Sequence, residues 1–279
     1  MSLPMVTAEN YFSPEMNMAY MGATQFKAFD RCEAAALAEL RGEYAPAAAT
    51  AMLIGSYVDA YFSGELPVFQ AQHPEIFKRD GSLKAEFVHA QDVIARMEAD
   101  ELYMLLMSGK KQVILTGEIA GVPFKVKIDS LLDAETSRRI AERFPETAEV
   151  MGMCDGALVD QKVMRDMANV WSEEERAKVS FAQFYGYDIQ GAIYQAIEGH
   201  MLPFILAVGT KEDAPDIGAL YIPDAELAAK LAEVEDRAPR YQAIKEGKIA
   251  PRRCGKCAYC RMTKKLHRIL DYRGAGDVE

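Results

Sequence analysis

The sequence predicts a mixed α/β (α+β) fold: a central mixed sheet flanked by helices, with helical extensions at both ends. Three observations carry this. From residue 111 the apolar pattern switches from helical spacing to alternation, the mark of half-buried strands. Short apolar runs at 156–164, 203–209 and 217–223 then recur among helical stretches, which puts strands and helices into one layered core. Before residue 110 and after residue 223 the pattern is helical.

Taken in order, residues 24–43 ("TQFKAFDRCEAAALAELRGE") read as one helix capped by Thr24 and rich in alanine and glutamate. Residues 46–62 ("PAAATAMLIGSYVDAYF") read as a second. After a charged stretch, 85–109 reads as a long amphipathic helix ended by Gly109. "KQVILTGEIAGVPFKVKIDSLL" follows as two strands around a tight turn at Ala120-Gly121. Residues 134–153 return to helix, and "GALVDQKVM" is a strand. Residues 180–200 read as one helix, then come the strands "PFILAVG" and "IGALYIP" and a helix from Asp224 that leads into a cysteine cluster.

With 279 residues, half of them apolar, the chain suits a single domain. We divide it into a helical N-terminal part (1–110), a sheet core (111–223) and a C-terminal helix with cysteines (224–279). There is no repeat, no apolar run of membrane-spanning length and no signal-peptide pattern. The expected compartment is therefore cytoplasmic and reducing, where clustered thiols are read as metal ligands before disulfides. A net charge of −10 argues against bulk attachment to nucleic acid or anionic lipid, but leaves room for a local basic groove.

Two strands hold the chemistry. Alternation in "FKVKID" puts Lys125, Lys127 and Asp129 on one face; in "LVDQKVM" it puts Asp160 and Lys162 together, opposite Gln161. If these strands are sheet neighbours, two carboxylates and a lysine converge. Carboxylates hold hard Mg²⁺ or Mn²⁺, and a lysine can stabilise charge on a phosphate. Alone, "DQK" also reads as a solvated strand face. The apolar strand around it favours the functional reading, because buried charges are costly unless paired or metal-bound.

The order of "KVKID", "VDQK" and "YDIQGAIYQ" resembles the PD-(D/E)xK nucleases, and among them the RecB-like and RecE-like exodeoxyribonucleases of phages and their bacterial relatives. The resemblance runs from about Thr24 to Lys265. It implies a restriction-endonuclease-like sheet and a metal-dependent deoxyribonuclease, most simply an exonuclease of phage or prophage recombination or repair. Asp129 and Asp160 would hold Mg²⁺ or Mn²⁺, with Lys162 as the catalytic lysine and Gln190 and Tyr194 as the helix motif that positions the DNA. "IGSYVDAYF" is similar to a helix whose His or Glu faces the metal; Asp59 stands there instead. The backbone carbonyl of Gln161 would complete the shell. Lys125 and Lys127, joined by Lys110 and Lys111, would form a DNA-binding track. The segment 133–156 is longer than the family's usual connection.

"CGKCAYC" packs Cys254, Cys257 and Cys260 into seven residues. Three thiolates leave a tetrahedral ion one ligand short. Some RecB-like nucleases hold a [4Fe–4S] cluster with one early cysteine and three late ones, and the resemblance gives Cys32 the early role. Zn²⁺ on four cysteines is chemically open too, as are four reduced thiols. Cys154 reads as a plain small residue, and the four histidines show no ligand spacing.

The implied partner is DNA, with a single-strand annealing recombinase by analogy; a homo-oligomer is compatible with the reading and a membrane is not expected. The alternative is a non-catalytic DNA-binding or assembly module, a cysteine-clipped relic of the nuclease fold. A third reading is a metal-binding protein unrelated to nucleic acid.

Overall fold

A computed structural model describes residues 3–46, 50–152, 154–266 and 269. It opens with α1 (Pro14–Ala19), capped by Ser13 Oγ on the Met16 amide at 3.2 Å. The single helix expected over 24–43 is two, α2 (Ala23–Arg31) and α3 (Glu33–Leu40), separated by an extended Cys32 at φ −167°, ψ 103°. Glu33, the first residue of α3, accepts from Nε and one terminal guanidinium nitrogen of Arg240 at 2.7 and 2.8 Å and from the Arg252 amide at 2.6 Å. Long-range contacts thus end α2 where local propensity would have continued it.

Next come α4 (Thr50–Phe62), α5 (Leu66–Gln72), α6 (Ala85–Glu98) and α7 (Glu101–Leu106). The long helix expected over 85–109 breaks at Asp100, whose carboxylate caps α7 by accepting the Tyr103 amide at 2.8 Å. β1 (Lys110–Ile119) and β2 (Val122–Asp133) form the expected hairpin. Both turn residues have positive φ, Ala120 at 49° and Gly121 at 77°, the backbone whose twist matches that of paired strands.

After α8 (Ala134–Arg143) and α9 (Ala148–Met151), β3 (Gly156–Met164) falls where alternation put it. A small separate hairpin, β4 (Val170–Ser172) and β5 (Ala177–Val179), was not expected from the sequence. The helix expected over 180–200 is α10 (Phe181–Phe184) and α11 (Tyr187–Glu198), parted by Gly186 in the left-handed region at φ 63°. β6 (Phe204–Thr210), β7 (Ile217–Ile222), α12 (Asp224–Lys245) and α13 (Ala258–Met262) complete the order.

The main sheet runs β1-β2-β3-β6-β7. β3 and β6 are parallel, whereas β2 with β3 and β6 with β7 are antiparallel. A parallel pair needs a crossover; here it carries α10 and α11. All seven residues of β6 are buried, as befits the strand covered on both faces.

The chain forms two compact units, each drawn from separate stretches: 1–47, 116–125 and 232–279 in one, 48–115 and 126–231 in the other. The core of the second is built from Tyr57, Phe87, Met97, Tyr103, Ile140, Val159 and Ala207. In the first, Met21 bridges Phe124, donating to the Pro123 carbonyl at 2.8 Å and accepting from the Lys125 amide at 2.9 Å. No helix among the described residues is long and apolar enough to cross a membrane.

Candidate active site

In the second unit the β2–β3 ladder ends at Ser130 opposite Val159. One step further along that register, Asp129 would face Asp160. Two carboxylates opposed on one face repel, and the pairing stops there. Asp129 Oδ2 instead accepts the Gln161 backbone amide at 2.9 Å. A side chain has taken the place of a ladder partner.

Asp160 is 2% exposed. Its Oδ1 accepts from Gln190 Nε2 at 2.6 Å, and its Oδ2 is ion-paired with Lys162. The Lys162 ammonium also donates to the Gln161 carbonyl at 3.3 Å and lies 5.3 Å from the centre of the Tyr187 ring. Gln190 reaches Asp160 because α11 rides close to β6. A Cβ on Gly191 would sit 2.6 Å from the Phe204 ring and 2.9 Å from Leu227. One turn on, Tyr194 is buried and donates its hydroxyl to the Lys127 carbonyl at 3.0 Å. Both residues expected to position DNA are therefore bonded to the strands: Gln190 to a carboxylate, Tyr194 to the β2 backbone.

α4 contributes Asp59, which accepts Gln112 Nε2 at 3.1 Å. Burial raises the Asp59 carboxyl against the pull of Lys127 and Lys162. Burial, with the charges of Asp160 and Asp59, pushes Asp129 up to about 8. Burial alone would lower Lys162, but Asp160 and Asp129 outweigh it and hold the ammonium above the ordinary lysine value. Lys111, whose ammonium donates to the Met107 carbonyl, is lowered by burial while Asp129 and Asp59 oppose the fall. Three carboxylates thus crowd one another among lysines. Such a set of oxygen donors suits a hard divalent cation, which would relieve the crowding.

Lys125 is a departure from the expected DNA track. It lies in the first unit, 3% exposed, with its ammonium donating to the Tyr11 carbonyl and, at 2.8 Å, to Asn17 Oδ1. Burial lowers it to about 8. Alternation put it on the face of Asp129, but the N-terminal segment covers it there. Lys127 is half-buried in the second unit.

Two residues of the site were not singled out in the sequence. Gln112 sits in β1 with φ at 52°, a region non-glycine residues seldom occupy, and its Oε1 is buried without a hydrogen-bond partner. Nothing in "KKQV" announces this. Tyr187, three residues before Gln190, could have been found by helical spacing.

In the first unit the four cysteines converge. Their sulfurs all lie within 4.8 Å of one another, with Cys32–Cys260 at 3.6 Å and Cys254–Cys260 at 3.9 Å. The Cys257 amide donates to Cys254 Sγ at 3.3 Å and the Cys260 amide to Cys257 Sγ at 3.4 Å. Burial raises the Cys254 thiol, but the amides of Cys257 and Lys256 outweigh it and bring the group down to about 6. Burial pushes Cys257 up to about 12. Cys154 stands apart, its thiol on the Met151 carbonyl at 3.2 Å.

The profile of the PDDEXK-like domain of unknown function (DUF3799) matches residues 22–137 and 150–263. A crystal structure from Eubacterium rectale, described as a "putative exonuclease", is 38% identical to this chain. The alignment covers 96% of this chain and 97% of that one, with a TM-score of 0.83. A search of curated proteins gave no match.

Proposed function

Because this chain belongs to the PDDEXK-like domain family DUF3799, we propose that it is a Mg²⁺- or Mn²⁺-dependent deoxyribonuclease, acting as an exonuclease on duplex ends. The observation that carries the reading is the convergence of Asp59, Asp129, Asp160 and Lys162: Lys162 is ion-paired with Asp160, and Asp129 feels the charges of Asp160, Asp59 and Lys162. Asp59, Asp129 and Asp160, with the Gln161 carbonyl, would hold the divalent ion. When bound there, such an ion supplies Lewis acidity and a more acidic water.

The chain's own groups do the rest. Lys162 is held protonated by its neighbouring carboxylates, so it serves as a cation for the phosphate oxygens as charge builds, and not as a base. Gln190 fixes Asp160, Gln112 fixes Asp59, and Tyr194 fixes the β2 backbone at the Lys127 carbonyl, two residues before Asp129. The neighbour from Eubacterium rectale supports exonuclease action by its description. A place in phage or prophage recombination, with a single-strand annealing recombinase as partner, extends the same reading.

For the cysteines we read one tetrahedral Zn²⁺. Zinc–sulfur bonds of about 2.3 Å put sulfurs roughly 3.8 Å apart in a tetrahedron; separations of 3.6 and 3.9 Å, with all four sulfurs within 4.8 Å of one another, support that spacing. A [4Fe–4S] cluster, with one thiolate per iron, needs its sulfurs further apart.

The test incubates linear and covalently closed duplex DNA with protein and Mg²⁺ or Mn²⁺. Shortening of the linear form alone is expected. Cutting of the closed circle would make the protein an endonuclease. DNA binding without cutting in either metal would favour the non-catalytic module.

A further inference from the structure

Eight of the chain's 32 Lys and Arg fall between Lys248 and Arg268, a stretch without Asp or Glu, so the other residues hold 24 basic groups against 42 acidic ones. This acidic protein has gathered a quarter of its positive charge into one short segment, the segment that carries three of the four clustered cysteines. Such segregation needs a reason, because like charges close in sequence repel and cost stability.

Lys248 is ion-paired with Glu246 at 2.6 Å, but other charges of the segment stand in solvent. Lys256, Arg261, Lys264 and Lys265 are all exposed. The segment is anchored at Arg252, whose amide donates to Glu33 at 2.6 Å and whose carbonyl accepts the Ala34 amide at 3.0 Å, and by its sulfurs: Cys260 is buried against Cys32, and Arg253 straps the turn by donating to the Cys260 carbonyl at 2.9 Å and to Thr263 Oγ1 at 2.5 Å. With the sulfurs turned inward, Lys256 between Cys254 and Cys257, and Arg261 after Cys260, are turned to solvent. Beside them a cleft of about 450 Å³ is lined by five arginines against Asp30, Glu33 and Asp236. Asp30 and Glu33 are already bonded to Arg237 and Arg240.

We propose that the cysteine-clipped segment from Lys248 to Lys265 is a binding surface for the phosphate backbone of duplex DNA, built on residues other than the carboxylate site. The choice of DNA rests on the nuclease reading above. Duplex DNA carries one negative charge per roughly 1.7 Å of axis, a density that closely spaced, rigidly held cations match. The five-residue helix α13 is too short to offer an apolar face to lipid. In a chain otherwise acidic, this surface keeps the polyanion from being repelled, and the sulfur clip holds its charges in place before binding.

The experiment follows binding of a labelled duplex by fluorescence anisotropy across a salt series, without divalent cations or chelators, so that nothing is cut and the clip stays loaded. The variant combines Lys256→Ala, Arg261→Ala, Lys264→Ala and Lys265→Ala. Its salt dependence should become shallower by about 3 to 4 in log–log slope, with affinity at low salt down at least about tenfold. A control of equal charge loss uses the exposed Lys78→Ala, Arg79→Ala, Arg138→Ala and Arg139→Ala and should keep the wild-type slope. Cys32→Ser leaves every lysine and arginine in place yet should also weaken binding.

Equal losses in both four-site variants, or none in the first with an unchanged melting temperature, would overturn the proposal. So would tighter binding of polyglutamate or phosphatidylserine vesicles than of duplex. Cleavage assays on the same variants separate the two readings. Slope lost but no cutting by wild type sinks the nuclease and keeps this surface; normal cutting with an unchanged slope does the reverse.

Discussion

Gln190 donates its amide to Asp160 Oδ1 at 2.6 Å, so a helix residue governs how a strand carboxylate is presented. Only one oxygen of Asp160 is left, and Lys162 holds it. Replacing Gln190 with Ala leaves a buried acceptor short of a donor, at a cost of about 1–3 kcal/mol. Cleavage should fall at least about a hundredfold, by analogy with loss of one preorganised donor. Gln190→Glu should be worse at neutral pH and partly recover as pH falls, because a protonated Glu can donate again. Cleavage rates across pH for both variants check this; equal profiles would sever Gln190 from Asp160 in function.

Gly191 sets the height of the same helix. A methyl group there meets the Phe204 ring at 2.6 Å, and forced overpacking costs about 1–3 kcal/mol. Gly191→Ala should lower Tm by several degrees and, by lifting Gln190, reduce cleavage too. Adding Phe204→Leu should return part of both. A melting curve and a rate for each variant suffice, and an inert Gly191→Ala would mean the helix can shift freely.

The pH response of metal binding follows from Asp129. Its carboxyl is pushed up to about 8 by burial and by Asp160 and Asp59, so the metal-free protein holds a proton there that the unfolded chain has released above about pH 4. This group's contribution to metal-free stability is full below pH 4 and is lost as pH rises towards 8. A divalent ion must displace that proton. Apparent Mn²⁺ affinity should thus climb about tenfold per pH unit below about 8 and level off above it. Calorimetry in buffers of different ionisation enthalpy should register close to one proton released at neutral pH.

These expectations use residues of uneven visibility in the sequence. Asp129, Asp160 and Lys162 were legible because alternation assigns strand residues to faces without tertiary knowledge. The Ala120-Gly121 turn and the bounds of β3 were legible for the same local reason. The break at Cys32 was not, since every neighbour in "DRCEAAAL" tolerates a helix and the break is made by Arg240 and Arg252, over 200 residues away. The burial of Lys125 was hidden likewise: its ammonium is capped by Tyr11 and Asn17, about a hundred residues earlier in the chain. The β4–β5 hairpin hid because its strands are three residues each, either side of a glutamate-rich turn.

The cysteine site offers a test by composition. One Zn²⁺ per chain and a colourless protein are expected from the sulfur spacing, whereas a brown protein with iron and sulfide would place a cluster there. Cys32→Ser removes the one ligand drawn from the N-terminal helices. Loss of the metal and a lower Tm should follow, because ligand binding that exists only in the folded state adds to stability.

Gln112 brings stability and function into opposition. Its backbone lies in the left-handed region at φ 52°, which costs a side-chain-bearing residue roughly 1–2 kcal/mol. Its amide donates to Asp59 while its own Oε1 is buried without a partner. Evolution of a stable strand alone would have put Gly here, so the strain is tied to what the amide does. Gln112→Gly should leave Tm unchanged or raise it, yet lower cleavage and weaken Mn²⁺ binding as Asp59 loses its donor. Gln112→Asn, which tolerates this backbone better but is one methylene shorter, should fall between the two. If Gln112→Gly lost stability and kept full activity, the residue would be a packing element, and Asp59 would be held by something else.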